Sequence, residues 1–503
     1  MNIQEAKQEV IHTILAYTRK NAAGEYLIPP EKQRPLLLIG PPGVGKTAIM
    51  EQAAAACGVN LVSYTITHHT RQSAIGLPFL EKRSYGGKET TVTEYSMSEI
   101  IASVYDQIEK SGISEGILFL DEINCVSETL APTMLQFLQY KTFGTHTLPK
   151  GFIIVTAGNP PQYNKSVREF DIVTLDRIRK ITIEADLPAW RSYAHDCGVH
   201  GSVMSYLDIR KDHFYSIRTD VENRYFVTAR GWEDLSRILK VYEELQIPVT
   251  ENLICEYLQD PEIAQEFANY YELYCRYRNI YRIPELLSGI IRPEALAVKN
   301  APFDEKLSLI GLVADALSGE FHRWEEEKTV QQQLLQVLQQ LVARLKRHEP
   351  SSQALSSEIR SFSAELASKE ASRLILQKEA HRRRLTLGAL NELQHLLSEE
   401  TFAEDSGQEA FAFFRDWFAQ REQQRLEGTT QTGDHLTNAF TFLAKCFGEG
   451  QEMVLFLSEL STDADAMGFV NECGNESYFK YNQLLLLDER RQSLTQDVLR
   501  LMP

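Results

Sequence analysis

Apolar residues follow two rhythms along this chain. Up to about residue 183, helical stripes alternate with short continuous apolar runs. Ile3, Val10, Ile11, Ile14 and Leu15 share one helical face and predict a helix over 3–18. The runs 35–39 (PLLLI), 59–66 (VNLVSYTI), 116–120 (GILFL), 152–157 (FIIVTA) and 181–183 (ITI) predict strands. Between them, 48–56, 97–110 and 128–140 predict helices. Fully apolar strands alternating with helices imply an α/β fold, a parallel sheet covered on both faces.

From about 187 to 300 the pattern is helical with short loops. The aromatic stretch 269–281 (NYYELYCRYRNIY) reads as helix packing. Beyond 301, helices take over. Val330, Leu334, Val337, Leu341 and Leu345 keep a coiled-coil-like spacing, as do Leu355, Ile359, Phe362 and Leu366. The turn-like 346–353 between them predicts an antiparallel helical hairpin within about 320–400. Breakers are scarce there: Pro350 is the only proline between Pro302 and Pro503, and no glycine occurs from 320 to 387. The expected organisation is a core over 1–186, an all-α lid over 187–300 and an all-α C-terminal module over 301–503. The run 381–384 (HRRR) reads as a solvated helix face.

Composition narrows the classes. The 503 residues suggest about three domains. With 43% hydrophobic and 24% charged residues, global disorder is excluded. A net charge of −17 argues against broad contact with nucleic acid or anionic membrane. No apolar run is long enough to span a bilayer. MNIQEAKQEV offers no apolar secretory segment, and the seven cysteines form no CxxC pair. A reduced, cytoplasmic setting is expected.

Chemistry enters at residues 40–47. Gly40, Pro41, Pro42, Gly43, Val44, Gly45, Lys46 and Thr47 fit G-x-x-x-x-G-K-[ST] between a strand and a helix. The glycines permit a tight turn whose N–H groups face phosphates, and the following helix adds its positive end. Lys46 can reach the β- and γ-phosphates of a bound nucleotide and Thr47 can bind Mg²⁺. Asp121 and Glu122 emerge from the strand 116–120, at the end where open α/β sheets bind ligands. Asp121 suits Mg²⁺, directly or through water, and Glu122 suits polarising an attacking water. Asn159 follows the strand 152–157 and could orient that water; alone it would read as a turn residue before Pro160 and Pro161.

The set GPPGVGKT, LFLDE, TAGNP and LDRIRK, in this order, resembles a P-loop AAA+ ATPase of the MoxR-like, dynein-related branch. The resemblance covers about residues 20–245, with FVTARGWEDLSR similar to the second sensor. It implies ATP hydrolysis with Mg²⁺ in a ring, a hexamer, with hydrolysis moving the lid against the core. It makes Asn159 the first sensor, Arg177 the arginine finger for a neighbouring subunit (Arg179 is the rival) and Arg230 the second sensor. It further implies a motor or chaperone acting on a protein client, a von Willebrand factor A domain protein by family habit. Tyr64, Phe79 and Tyr85 are candidates for a central pore, though loop packing explains them equally.

Two other readings compete. A nucleic-acid-linked NTPase of a restriction-type system would use the same motifs, against the acidic charge. A nucleotide-gated scaffold would bind its partner through the helical module and hydrolyse slowly. His68, His69, His195, Cys197 and His200 match no common zinc spacing, so Mg²⁺ with the nucleotide is the only metal expected.

Overall fold

The computed structural model describes residues 1–66, 74, 76–163, 167, 170–220, 223–399 and 407–483. The chain divides into two compact units, 1–186 with 360–383 and 187–359 with 384–503.

In the first unit the elements run α1 (Ile3–Thr18), β1 (Leu36–Ile39), α2 (Lys46–Cys57), β2 (Asn60–Thr65), β3 (Pro78–Tyr85), β4 (Lys88–Tyr95), α3 (Glu99–Ser111) and β5 (Gly116–Asp121). They continue with α4 (Ala131–Tyr140), β6 (Thr142–Phe143), β7 (His146–Thr147), β8 (Phe152–Gly158), α5 (Ile172–Leu175) and β9 (Arg179–Thr182). Five strands form one parallel sheet in the order β2-β5-β8-β1-β9. Successive residues serve opposite layers. Leu37, Val62, Leu118, Leu120 and Ile154 pack with α3 and α4, including Ile100, Val104, Met134 and Phe137. Leu36, Leu38, Leu61, Phe119 and Val155 pack with α1 and α2, including Val10, Ile14, Ile49 and Met50. Burial on both faces is why these strands read as unbroken apolar runs.

Two antiparallel ribbons stand apart from the sheet. The short one, β6 with β7, pairs Phe143 with His146. The longer one, β3 with β4, pairs Pro78 with Tyr95 through to Tyr85 with Lys88. Every residue of β3 is exposed. Exposure, together with the Gly86–Gly87 turn, explains why no apolar run marks this ribbon. Residues 360–383 belong to this unit, where the Gln107 side chain donates to the Ser372 carbonyl over 2.7 Å.

The second unit is mainly helical. Helix Pro261–Tyr281 carries the aromatic stretch, with Tyr271, Tyr274 and Tyr281 buried. Helix Phe303–Leu345 contributes Phe321 and Trp324 to a core shared with Phe440, Phe456 and Phe469 of the later helices. Val330, Leu334, Val337, Leu341 and Leu345 are buried, as are Leu355 and Ile359. Arg344 reaches Glu358 over 2.7 Å across the turn that contains Pro350. The expected two-helix hairpin gains a third helix, Gln377–Glu399, tied back by Thr386 to Gln333 at 2.8 Å and Gln394 to Ser356 at 2.8 Å. Among the described residues no helix is long and apolar enough to cross a membrane.

Candidate functional site

The sheet register sets the site. Leu120 of β5 pairs with Thr156 of β8, and Ile39 of β1 pairs with Gly158 of β8. Three adjacent strands therefore end side by side, and the segments that leave them converge at their C-terminal edge. After β1 comes the loop 40–45, after β5 Asp121 and Glu122, after β8 Asn159.

The loop folds as its glycines require. Gly43 and Gly45 have φ of 75° and 91°, in the left-handed region that favours glycine. Gly45 is also the N-cap of α2 and has no side chain to satisfy the first-turn N–H groups. Those groups and the helix dipole make an anion-binding end.

Lys46 begins α2 and is buried. Its ammonium donates to the carbonyls of Gly40 and Pro41, both at 2.8 Å, and to Asn159 Oδ1 at 2.9 Å. The Thr47 hydroxyl donates to Asp121 Oδ2 at 3.2 Å. Asp121 Oδ1 accepts from the Glu122 backbone N–H at 2.9 Å. Glu122 itself has φ 56°, uncommon for a residue with a side chain, and opens the tight turn Ile123–Cys125. Burial pushes the Cys125 thiol up, and the carboxylates of Glu122 and Asp121 add to the shift. The thiol beside the acidic pair is therefore held in its protonated, unreactive form.

The donor set fits a nucleoside triphosphate with a divalent cation. Backbone N–H groups and a lysine face one region, and a hydroxyl and a carboxylate supply hard oxygen ligands. Thr47 and Asp121 could hold Mg²⁺. Glu122 and Asn159 present a carboxylate and an amide at the same edge.

The two rival arginines differ in their partners. Arg179, in β9, is tied to α1: it donates to Thr13 Oγ1 at 2.9 Å and forms an ion pair with Glu9. Arg177 is exposed, and its guanidinium donates to the Gln139 side chain at 2.8 Å. Arg230 lies in the second unit, exposed in the first turn of helix Ala229–Glu244, whose N-cap is Thr228.

The pore candidates separate. Tyr64 is half-buried against the core, and its hydroxyl donates weakly to the Glu99 carbonyl at 3.4 Å. Phe79 and Tyr85 are exposed on the β3–β4 ribbon. His68 and His69 lie outside the described residues. His195 faces Glu459 at 3.4 Å, and His200 caps helix Gly201–Ile209 while facing Glu243 at 3.2 Å. Cys197 is exposed. Among the described residues no three His, Cys, Asp or Glu side chains group as a metal set.

Sequence reasoning passed over Asn124. Its side-chain amide donates to the Asn159 carbonyl at 2.7 Å. The only signal in the sequence was a polar residue placed two positions after Glu122 in an otherwise apolar turn.

No curated protein matches the chain. Residues 35–178 match the family model of the AAA domain of the dynein-related subfamily. That span contains the whole of the edge just described, from β1 through Arg177, and this segment is similar to the AAA domains of that subfamily.

Proposed function

We propose that the chain is an ATP-hydrolysing, MoxR-like motor or chaperone that remodels a partner protein. The observation that carries this reading is the convergence of Lys46, Thr47, Asp121, Glu122 and Asn159 at one sheet edge. Lys46 and the loop N–H groups hold the phosphates. Thr47 and Asp121 hold Mg²⁺, which when bound neutralises charge on the phosphate oxygens. Glu122 takes a proton from the attacking water, and Asn159 orients that water.

Arg177 acts as the finger in a ring, a hexamer by family habit. Both arginines are exposed, but the tie of Arg179 to Glu9 and Thr13 of α1 supports the choice of Arg177. A planar, permanently charged guanidinium suits transition-state charge on phosphoryl oxygens. Arg230 is assigned the second sensor. The client is a protein, a von Willebrand factor A domain protein being the first candidate, met in the cytoplasm. The net charge of −17 favours a protein over nucleic acid. Phe79 and Tyr85, exposed on their ribbon, are assigned to grip it.

The test is Glu122→Gln. The variant should bind ATP as the wild type does and lose turnover by about 10²-fold or more. Unchanged hydrolysis would remove Glu122 from its role. A turnover rate per subunit that rises with protein concentration would support a site completed by a neighbour.

A further inference from the structure

The structure assigns Asn124 as a positioning residue that fixes Asn159 for catalysis; this rests on the ATPase reading above and deepens it. Asn124 is only 6% exposed and sits in the turn Ile123–Cys125. Its Nδ2 donates to the Asn159 carbonyl over 2.7 Å, while its Oδ1 is buried with no hydrogen-bond partner among the described residues. The reverse amide orientation would set Oδ1 against that same carbonyl, so the donor must face Asn159. A buried acceptor left unpaired is unfavourable, and an apolar residue of similar size would avoid it. The retained amide therefore points to a need for its donor.

The backbone opposite has been shaped to admit this side chain. A Cβ on Gly158 would lie 2.5 Å from Asn124 Oδ1 and 2.7 Å from its Cγ. Gly158 is the last residue of β8 and directly precedes Asn159. The amide thus lies across the end of β8 and grips the next carbonyl. It holds by its main chain the residue whose side chain meets Lys46 at 2.9 Å.

The same turn carries Glu122. With φ 56°, Glu122 swings the chain from the end of β5 toward β8, and two residues later Asn124 makes the cross-strand bond. The carboxylate and the amide that act on the water are thereby fixed to each other through one short turn. Asn124 touches neither substrate nor water in this scheme and acts only through Asn159.

Four proteins test this: Asn124→Ala, Asn124→Asp, Gly158→Ala and the double variant Gly158→Ala with Asn124→Ala. In Asn124→Ala, kcat should fall about tenfold or more, with ATP affinity within about twofold and Tm within a few degrees of wild type. Asn124→Asp keeps the shape and, when ionised, has no donor and sets a negative charge against the Asn159 carbonyl, so its kcat measured at about pH 8 to 9 should fall at least as far. Gly158→Ala should be impaired by collision with Asn124. The double variant, free of the collision, should be no worse than the weaker single variant. An undiminished kcat in both Asn124 variants overturns the inference, as does a loss of activity that only tracks lowered Tm. Losses that multiply in the double variant overturn it too. Wild-type turnover separates the two levels. If the wild type fails to hydrolyse ATP, the functional reading falls. If it turns over and Asn124→Ala does so equally, only the positioning role falls.

Discussion

Lys46 and Asn159, 113 positions apart in sequence, are joined by a 2.9 Å hydrogen bond from the ammonium to the amide oxygen. With the Gly40 and Pro41 carbonyls, Asn159 completes three acceptors around a buried cation. A lysine so fully partnered must exchange acceptors when it turns to a phosphate. On the proposed reading, Asn159 competes with the nucleotide for Lys46 before it serves catalysis.

Asn159→Ala should accordingly change binding and turnover in opposite senses. Removing one acceptor from Lys46 should tighten ATP binding by up to about fivefold, the worth of one net hydrogen bond. Losing the amide proposed to orient water should lower kcat by about 10²-fold. Fluorescent-nucleotide titration and steady-state turnover read the two effects. Weaker binding in the variant would refute the competition.

Arg177 and Arg179 should fail differently. Arg177→Ala loses, among the described residues, an exposed hydrogen bond to Gln139 and a surface attraction to Asp171, so Tm should hold while turnover falls by about 10³-fold. Arg179→Ala breaks the tie of β9 to Glu9 and Thr13, so Tm should drop while turnover well below Tm is kept. Mixing Arg177→Ala with Lys46→Ala should recover part of the activity. One subunit then offers an intact site and its neighbour an intact finger. No recovery on mixing would argue for a finger acting within its own subunit.

The sheet strands and the loop 40–47 were legible because each is fixed locally. Burial on both faces makes a strand apolar throughout, and a phosphate loop needs its glycines close together in sequence. The β3–β4 ribbon was not, because a fully exposed strand has no apolar face to show. Its written clue was Gly86–Gly87 between β-prone segments. Arg177 and Arg179 look alike in sequence and are told apart only by α1, which brings Glu9 and Thr13 to one of them. Asn124 was hidden for the same reason. Its partner lies 35 residues on and is a backbone carbonyl, which no side-chain pattern records.

Lys141 predicts an alkaline signature. Burial lowers its ammonium to about 8, where its contacts are the Gln33 side-chain oxygen at 2.9 Å and the Phe152 carbonyl at 3.3 Å. Folded Lys141 thus releases its proton at lower pH than the unfolded chain does. Between about pH 8 and 10.5 the unfolded state binds more protons, so this group's contribution to stability rises with pH. Lys141→Met lacks that term, whatever constant offset the lost contacts bring. Urea unfolding followed by circular dichroism at pH 7 and pH 10 should show the wild type gaining on the variant at the higher pH. Parallel curves would show that Lys141 titrates as an exposed lysine.

Glu243 predicts the opposite behaviour in acid. Burial pushes its carboxyl up, but hydrogen bonds from His200 and Arg278 outweigh that and hold it at about 2. Tyr271 also donates to it at 2.9 Å, and Arg278 does so at 2.7 Å. A carboxyl depressed in the folded state stabilises above its unfolded value near 4.5, and that stabilisation is lost as pH falls toward 2. Glu243→Gln should therefore cost about 2 kcal/mol at pH 7, the scale of a charge-assisted hydrogen bond, and progressively less below pH 4.5. The reporter is built in. Trp190, Trp232, Trp324 and Trp417 are the chain's four tryptophans, and all lie in the unit that contains Glu243. Their fluorescence during denaturant unfolding follows that unit alone. A wild-type-to-variant gap that stays constant from pH 7 to pH 3 would mean that the carboxylate's charge contributes nothing and that Glu243 acts by packing.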